Sequence, residues 1–244
     1  MRTQIVAHRG DRKNAPENTL IAYNQALDFE ELDVLEIDVH LTKDNQLVVI
    51  HDEKIDRTTN KHGYVYEYTL AQLQTIDAGS WFSPQYADQR IPSLEEVLTL
   101  LRKRNFDKTL LIEVKTDHIE YPKIEEYLLK RMQEEKPRYQ VIYQSFNLNT
   151  LLKLHRLEPT LTLNALVFYP TFKVLKMYRS GVITAINPDN RWFVNRLFWL
   201  KKSNVAPWTV NTEMAMRAVF KAQLNRIITD DIALAAKLRK EIQD

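Results

Sequence analysis

Two histidines each close a short β-rich run: His8 follows Gln4–Ala7 and His51 follows Leu47–Ile50. An imidazole exchanges a proton near neutral pH. One such ring alone reads as a satisfied structural histidine, but two at strand ends fit an acid–base pair. Glu36 and Asp38 lie two residues apart in the run Val34–Val39, and Glu113 lies in Thr109–Val114. On a strand, residues two apart share a face, so Glu36 and Asp38 point together and Leu35, Ile37 and Val39 point to the other side. Buried carboxylates are costly unless paired or bound to metal. Three of them from two strands point to a hard divalent cation, Ca²⁺ or Mg²⁺ with Mn²⁺ as a third option. Arg9 and Lys115 adjoin these acids, either as salt-bridge partners or as holders of an anionic substrate. With a divalent ion and neutral histidines, three acids and two cations leave a single positive charge. That suits a monoanion such as a phosphodiester, and metal-assisted phosphodiester cleavage follows.

Such residues need strand ends to present them. β-rich runs alternate with amphipathic stretches: beside those above come Tyr139–Tyr143, Thr160–Val167, Val182–Ala185, Val205–Thr209 and Arg226–Ile228. Trp208 lies near the end of the penultimate run, with Asn211 just beyond. Helical patterns cover Leu20–Phe29, Leu94–Arg104, Ile119–Glu135, Leu148–Leu157, Trp192–Lys201, Glu213–Gln223 and Asp231–Ile242. Ser93 with Glu96 forms a capping box, and Asn147, Asn211 and Asp230 occupy positions suited to N-caps. Alternation of this kind implies parallel strands with helical crossovers. The length of 244 residues fits one α/β TIM (β/α)8 barrel, whose active site lies at the C-terminal strand ends. The polar, aromatic span from about 52 to 90 is too long for a simple loop and reads as an inserted subdomain within a single 1–244 domain.

Composition narrows the partners. A net charge of +2 without a dense basic stripe argues against nucleic acid. The absence of cysteine excludes disulfides and thiolate chemistry. Neither a signal-peptide core nor a membrane-length apolar run is present, so a cytoplasmic location is expected. Oligomeric state is not legible.

The segments AHRG, PENT, LEIDVHLTKDNQLVVIHD, RTT, IPSLEEVL, IEVK and WTVN closely resemble the glycerophosphodiester phosphodiesterase family. The resemblance runs from the first strand to the last helix, with its strongest parts in family order. It implies a TIM barrel with a small insertion after the second strand, hydrolysing glycerophosphodiesters to sn-glycerol 3-phosphate and an alcohol. It implies Glu36, Asp38 and Glu113 as metal ligands, His8 and His51 as the acid–base pair, and Arg9 and Lys115 as phosphate-binding cations. Phe146 and Trp208 resemble residues lining a glycerol pocket; packing at the barrel mouth is the alternative. Departures fall at turns: Glu31-Leu32-Asp33, Asn45 and Leu224-Asn225 stand where the family often has glycine.

The aromatic stretches around Phe168 and Tyr169 and around Trp192 and Phe193 read mainly as packing, with an alcohol-side pocket or a partner surface as the other option. His40, His62, His118 and His155 read as surface or packing residues, and the Pro16–Thr19 loop as support for the site. Two rivals remain at this point: a related phosphodiesterase for lysophospholipids or phosphoinositides, and a barrel that binds phosphodiesters without cleaving them.

Overall fold

The computed structural model describes residues 1–193 and 204–244. Strand β1 (Gln4–Ala7) pairs in parallel with β2 (Val34–Leu41) on one side and β8 (Arg226–Thr229) on the other. The parallel order continues from β2 through β4 (Thr109–Val114), β5 (Gln140–Ser145) and β6 (Thr162–Val167) to β7 (Ala185–Pro188). Strand β3 (Leu47–Val49) is a short antiparallel hairpin arm on β2, outside this circuit.

Residues 205–210 close the barrel. Val205 and Trp208 bridge in parallel to Ile186 and Asp189, while the Val210 N–H reaches Ile228 O (2.9 Å) and the Ile228 N–H reaches Pro207 O (3.1 Å). Pro207 donates nothing to a ladder, so the eighth staff is made of isolated bridges. The expected strand at Val205–Thr209 therefore marks a real position in the barrel. The strand expected at Val182–Ala185 falls three residues later, at β7.

Alternation sorts the side chains. Leu35, Ile37 and Val39 face outward into the main core against the helices. Inside the barrel, Val6, Val34, Leu111, Ile142, Ala206 and Ile228 form a small apolar cluster. Two residues further along their strands stand His8, Glu36, Glu113, Gln144 and Trp208. The barrel is thus apolar in its lower interior and polar at the C-terminal strand ends.

The helices are α1 (Leu20–Ala26), α2 (Leu70–Leu73), α3 (Leu94–Lys103), α4 (Ile124–Glu135), α5 (Leu148–Leu157), α6 (Phe172–Arg179), α7 (Asn190–Phe193), α8 (Glu213–Ala222) and α9 (Ile232–Gln243). Helix α3 shows why they form: Leu94, Val97, Leu98 and Leu101 make one buried stripe, and Ser93 and Glu96 close the capping box. Asn147 caps α5 as expected. Asn211 and Asp230 do not cap; Thr212 and Asp231, one residue later, do. Helix α4 starts at Ile124 rather than Ile119, and α6 answers to no helical pattern expected from the sequence. Of the helix expected over 192–201, residues 194–201 lie outside the described residues, as do the side chains of Trp192 and Phe193 on which the pocket role considered for them rests.

Between β3 and α3, residues 50–92 pack around a second apolar cluster of Val48, Ile50, Ile55, Val65, Leu73, Ile76, Ala78 and Ile91. At the opposite end of the barrel, buried Arg239 of α9 pairs with Asp33 and donates to the carbonyls of Glu31 and Thr3. Asp33 also accepts from the Ile5 N–H (2.8 Å), which explains an acid in the turn before β2.

Candidate active site

Every site residue expected from the sequence lies at the C-terminal end of the barrel. Strand β2 places Glu36 and Asp38 on one face, and the β2–β4 register sets Asp38 beside Glu113. Glu36, Asp38 and Glu113 are buried, and each offers a carboxylate oxygen within 4.8 Å of the others. Glu36 Oε2 accepts from the Arg9 N–H (2.8 Å), Asp38 Oδ2 from Asn18 Nδ2 (2.8 Å), and Glu113 Oε1 from Lys115 Nζ (2.8 Å). Glu36 Oε1 and Asp38 Oδ1 are buried with no hydrogen-bond partner. Burial and the neighbouring carboxylates push Glu36 well above the usual carboxylate range, and burial raises Glu113. Asp38 is also buried, yet Arg9, His51 and Lys115 hold it low. Converging buried oxygens with free lone pairs are a donor set for a hard cation, so these residues fit a metal ion.

Two cations flank the acids. Arg9 is in the left-handed region (φ 60°), fixed at both ends of the residue. Its N–H holds Glu36, its Nη1 donates to Glu17 Oε1 (2.8 Å), and its Nε lies 3.2 Å from Asp38 Oδ2. Gly10 follows at φ +82°, where a Cβ would stand 2.7 Å from the Ala22 carbonyl carbon. Close packing on α1 and the positive φ together require glycine there. Lys115 sits just beyond β4, and burial would lower it, but Glu113 and Asp38 keep it firmly charged.

Each histidine is backed by a carboxylate. His8 Nδ1 donates to Asp230 Oδ1 (2.6 Å), and Asp230 Oδ2 accepts from Asn211 Nδ2 (2.7 Å). His51 Nδ1 donates to Asp52 Oδ1 (2.5 Å), and its Nε2 accepts from Lys115 Nζ at 3.4 Å. A carboxylate only accepts, so both rings carry their neutral-state proton on Nδ1 and leave Nε2 free to take one up. Burial, aided by the Arg9 charge, lowers His8 to about 4 and keeps it neutral. Asp230 is held at about 2: burial opposes this, and the His8 hydrogen bond and Arg12 overcome it.

Glu17 ties these parts together. Its buried carboxylate meets Arg9, Arg12 (2.9 Å) and Arg57 (2.7 Å). Arg57 in turn donates from Nε to Asp52 (2.7 Å), and Arg12 lies 3.4 Å from Asp230. Burial would raise Glu17, but the three arginines hold it at about 2. One hydrogen-bond and ion-pair network thus joins both histidine–aspartate pairs to Arg9. Asn18 serves Asp38, while Thr19 caps α1.

These residues border a cavity of about 310 Å³ lined by His8, Arg9, His51, Glu113 and Lys115 on one side. Phe146, Phe168 and Trp208 form its aromatic side, with ring centroids 5.2–5.7 Å apart. Trp208 is held by its Nε1 donating to Asn187 O (2.8 Å). Glu53, Asp117 and His118 at the exposed rim also bring ligand atoms within 4.8 Å, but without orphaned buried oxygens.

Asp230, Asn211, Arg12, Arg57 and Gln144 were not among the expected site residues. The sequence signal was an acid or amide immediately past a strand end, as in ITDD and VNT. His40, expected as packing, is buried and donates from Nε2 to the His51 carbonyl (3.0 Å), steadying the loop that carries that ring.

The model of the glycerophosphoryl diester phosphodiesterase family matches residues 8–234. A glycerophosphodiester phosphodiesterase of Caldanaerobacter subterraneus subsp. tengcongensis is 38% identical over 234 residues, covering 95% of each chain. One from Bacillus subtilis is 34% identical over 268 residues, covering 98% of this chain and 87% of the relative. Among solved structures, an Oleispira antarctica phosphodiesterase in complex with the product sn-glycerol 3-phosphate superposes with a TM-score of 0.84 at 25% identity, covering 99% and 97% of the two chains.

Proposed function

The chain belongs to the glycerophosphoryl diester phosphodiesterase family and is an enzyme of that class, and from that premise we propose how its own residues cleave the substrate. The reaction is hydrolysis of a glycerophosphodiester to sn-glycerol 3-phosphate and an alcohol. The observation that carries this reading is the buried Glu36–Asp38–Glu113 cluster with two orphaned oxygens, flanked by two histidine–aspartate pairs and two cations around one cavity.

In this reading Glu36, Asp38 and Glu113 hold one divalent cation, Ca²⁺ or Mg²⁺. The bound ion supplies Lewis-acid polarisation of the phosphate and neutralises its charge. Arg9 and Lys115 bind the phosphate oxygens and stabilise the charge that builds in the transition state. Phe146 and Trp208 face the glycerol moiety. One of His8 and His51 accepts a proton from the nucleophile through Nε2; the other donates one to the departing alcohol. Asp230 and Asp52 fix the tautomer that leaves each Nε2 available. The two rings work in opposite protonation states, which predicts a bell-shaped pH profile. The inserted segment, taken as a subdomain over about 52–90, contributes Asp52 and Arg57 and so braces His51.

The test is release of sn-glycerol 3-phosphate from glycerophosphocholine, with chelator and then with Ca²⁺, Mg²⁺ or Mn²⁺ restored singly. The wild type loses activity in chelator and regains it with at least one ion. His51→Ala loses at least about a hundredfold in turnover. Undiminished turnover in chelator, or in that variant, refutes the mechanism.

A further inference from the structure

Among the described residues, the four most exposed large apolar side chains are Met214 (82%), Phe172 (80%), Tyr169 (61%) and Phe168 (59%). All four sit on the face where the strands end. Phe168 and Tyr169 follow β6, Phe172 opens α6, and Met214 lies in the first turn of α8. Phe168 ties this face to the cavity, because its ring packs against Phe146 and Trp208. Apolar exposure concentrated at one rim marks a surface that meets something apolar.

Charge says what that is. Along the sequence from Glu158 to Glu213 there are seven lysines and arginines between the two glutamates and a single acid, Asp189, so the remainder of the chain is net negative. Asp189 is already paired with Arg191. On α6, Lys173, Lys176 and Arg179 are exposed, and no carboxylate among the described residues pairs with them. Phe172, Lys176 and Arg179 follow a spacing of four and then three, which puts them on one stripe of the helix. The aromatic ring stands at the barrel rim and the cations stand one and two turns behind it. An aromatic edge backed by cations matches a bilayer: rings at the headgroup boundary, lysines at the level of anionic phosphates.

We propose that the rim formed by Phe168, Tyr169, Phe172 and the start of α8, with the α6 cations, docks the mouth of the active site onto an anionic lipid bilayer. Phe168 also borders the cavity, but Phe172 and the α6 cations line no part of it, so substitutions there separate docking from turnover of a soluble substrate. The contact is peripheral; no helix among the described residues is long and apolar enough to cross a membrane.

The test is co-sedimentation of the full chain with vesicles of phosphatidylcholine alone and of phosphatidylcholine mixed with phosphatidylglycerol. The wild type binds the mixed vesicles and is released as salt rises, and it binds pure phosphatidylcholine at least about tenfold more weakly. Phe172→Ser and the double variant Lys173→Glu/Lys176→Glu each lose about tenfold or more in vesicle affinity. Both keep wild-type turnover of glycerophosphocholine, which shows that they fold. The proposal is overturned if the wild type binds neither vesicle or both equally, or if the variants bind as it does. It is equally overturned if the wild type self-associates through this patch, with Phe172→Ser monomeric and neither binding vesicles.

Discussion

The two ends of the barrel bury charge in opposite ways. At the N-terminal end, Arg239 is matched to Asp33 and two carbonyls, and Asp33 is matched again to the Ile5 N–H. At the C-terminal end, three carboxylates crowd within 4.8 Å, and two of their oxygens have no partner. The first arrangement pairs its charge: the buried guanidinium meets a carboxylate and two carbonyls, and so joins α9 to β1 and to the turn before β2. The second leaves buried carboxylate oxygens unmatched, a cost that the cation proposed above would offset. In a barrel of this kind, charge at the bottom serves stability and charge at the top serves function.

Substitutions that affect the two ends differently test that division. The largest effect is expected at the top. Burial and the neighbouring carboxylates already oppose ionisation of Glu36, and Glu36→Gln puts a neutral group of the same shape there, so the metal-free protein keeps or gains thermal stability. Turnover falls by about a thousandfold or more, consistent with loss of electrostatic stabilisation in the transition state. Thermal melts with and without added Ca²⁺ complete the check: the ion raises the wild-type Tm and leaves that of the variant nearly unmoved. A melting loss in metal-free Glu36→Gln would break the comparison.

Arg239→Met, at the bottom, does the reverse. It leaves Asp33 without its cation and costs about 3 kcal/mol, the low end for a broken buried pair because Asp33 retains some solvent. Urea unfolding measures the loss, and turnover per folded molecule stays within about twofold of wild type.

Glu17 belongs to the top but behaves like the bottom, since each of its oxygens is satisfied by arginine. Its folded pKa, about 2, lies below the ordinary glutamate value. Its stabilisation is therefore complete above the unfolded pKa and disappears as pH falls through the folded one. Glu17→Gln costs on the order of 3 kcal/mol at neutral pH and almost nothing near pH 2. Urea unfolding across that interval should show the wild-type and variant curves converging as pH drops.

How much of this was legible depends on what each element buries. Strands β1 and β4 and helix α5 have the bounds their patterns implied, because each sets a whole apolar face against the core. The acid trio was legible because spacing by two places Glu36 and Asp38 together and Glu113 lies on another strand of the same parallel set; only the exact register, Asp38 beside Glu113, required the fold. Helix α6 was not legible because only Val174 and Met177 of its eight residues are buried, too few to set a period against an exposed aromatic-basic face. The N-caps at Asn211 and Asp230 were misplaced by one residue for a simple reason. Each precedes another good capping residue, and Thr212 and Asp231 take that task. Local capping preference cannot choose between neighbours when the loser has a tertiary partner.

That misplacement leads to the smallest predicted effect. Freed from capping, Asp230 and Asn211 meet each other, and Asp230 carries His8. Because His8 is held neutral by burial and by Arg9, Asp230 is needed to fix which nitrogen bears the proton rather than to charge the ring. Asp230→Asn keeps the side chain's shape and an acceptor but adds a competing amide donor, so the ring samples the wrong tautomer and orientation. Turnover then falls by roughly ten- to a hundredfold, the range expected when an outer partner of a working histidine is lost. Binding of the product sn-glycerol 3-phosphate, measured by calorimetry, stays near wild type because Arg9 and Lys115 are untouched. A proportionate loss of both would mean that Asp230 shapes the cavity as a whole, and the partition of the upper barrel into phosphate-holding and proton-handling groups would have to be redrawn.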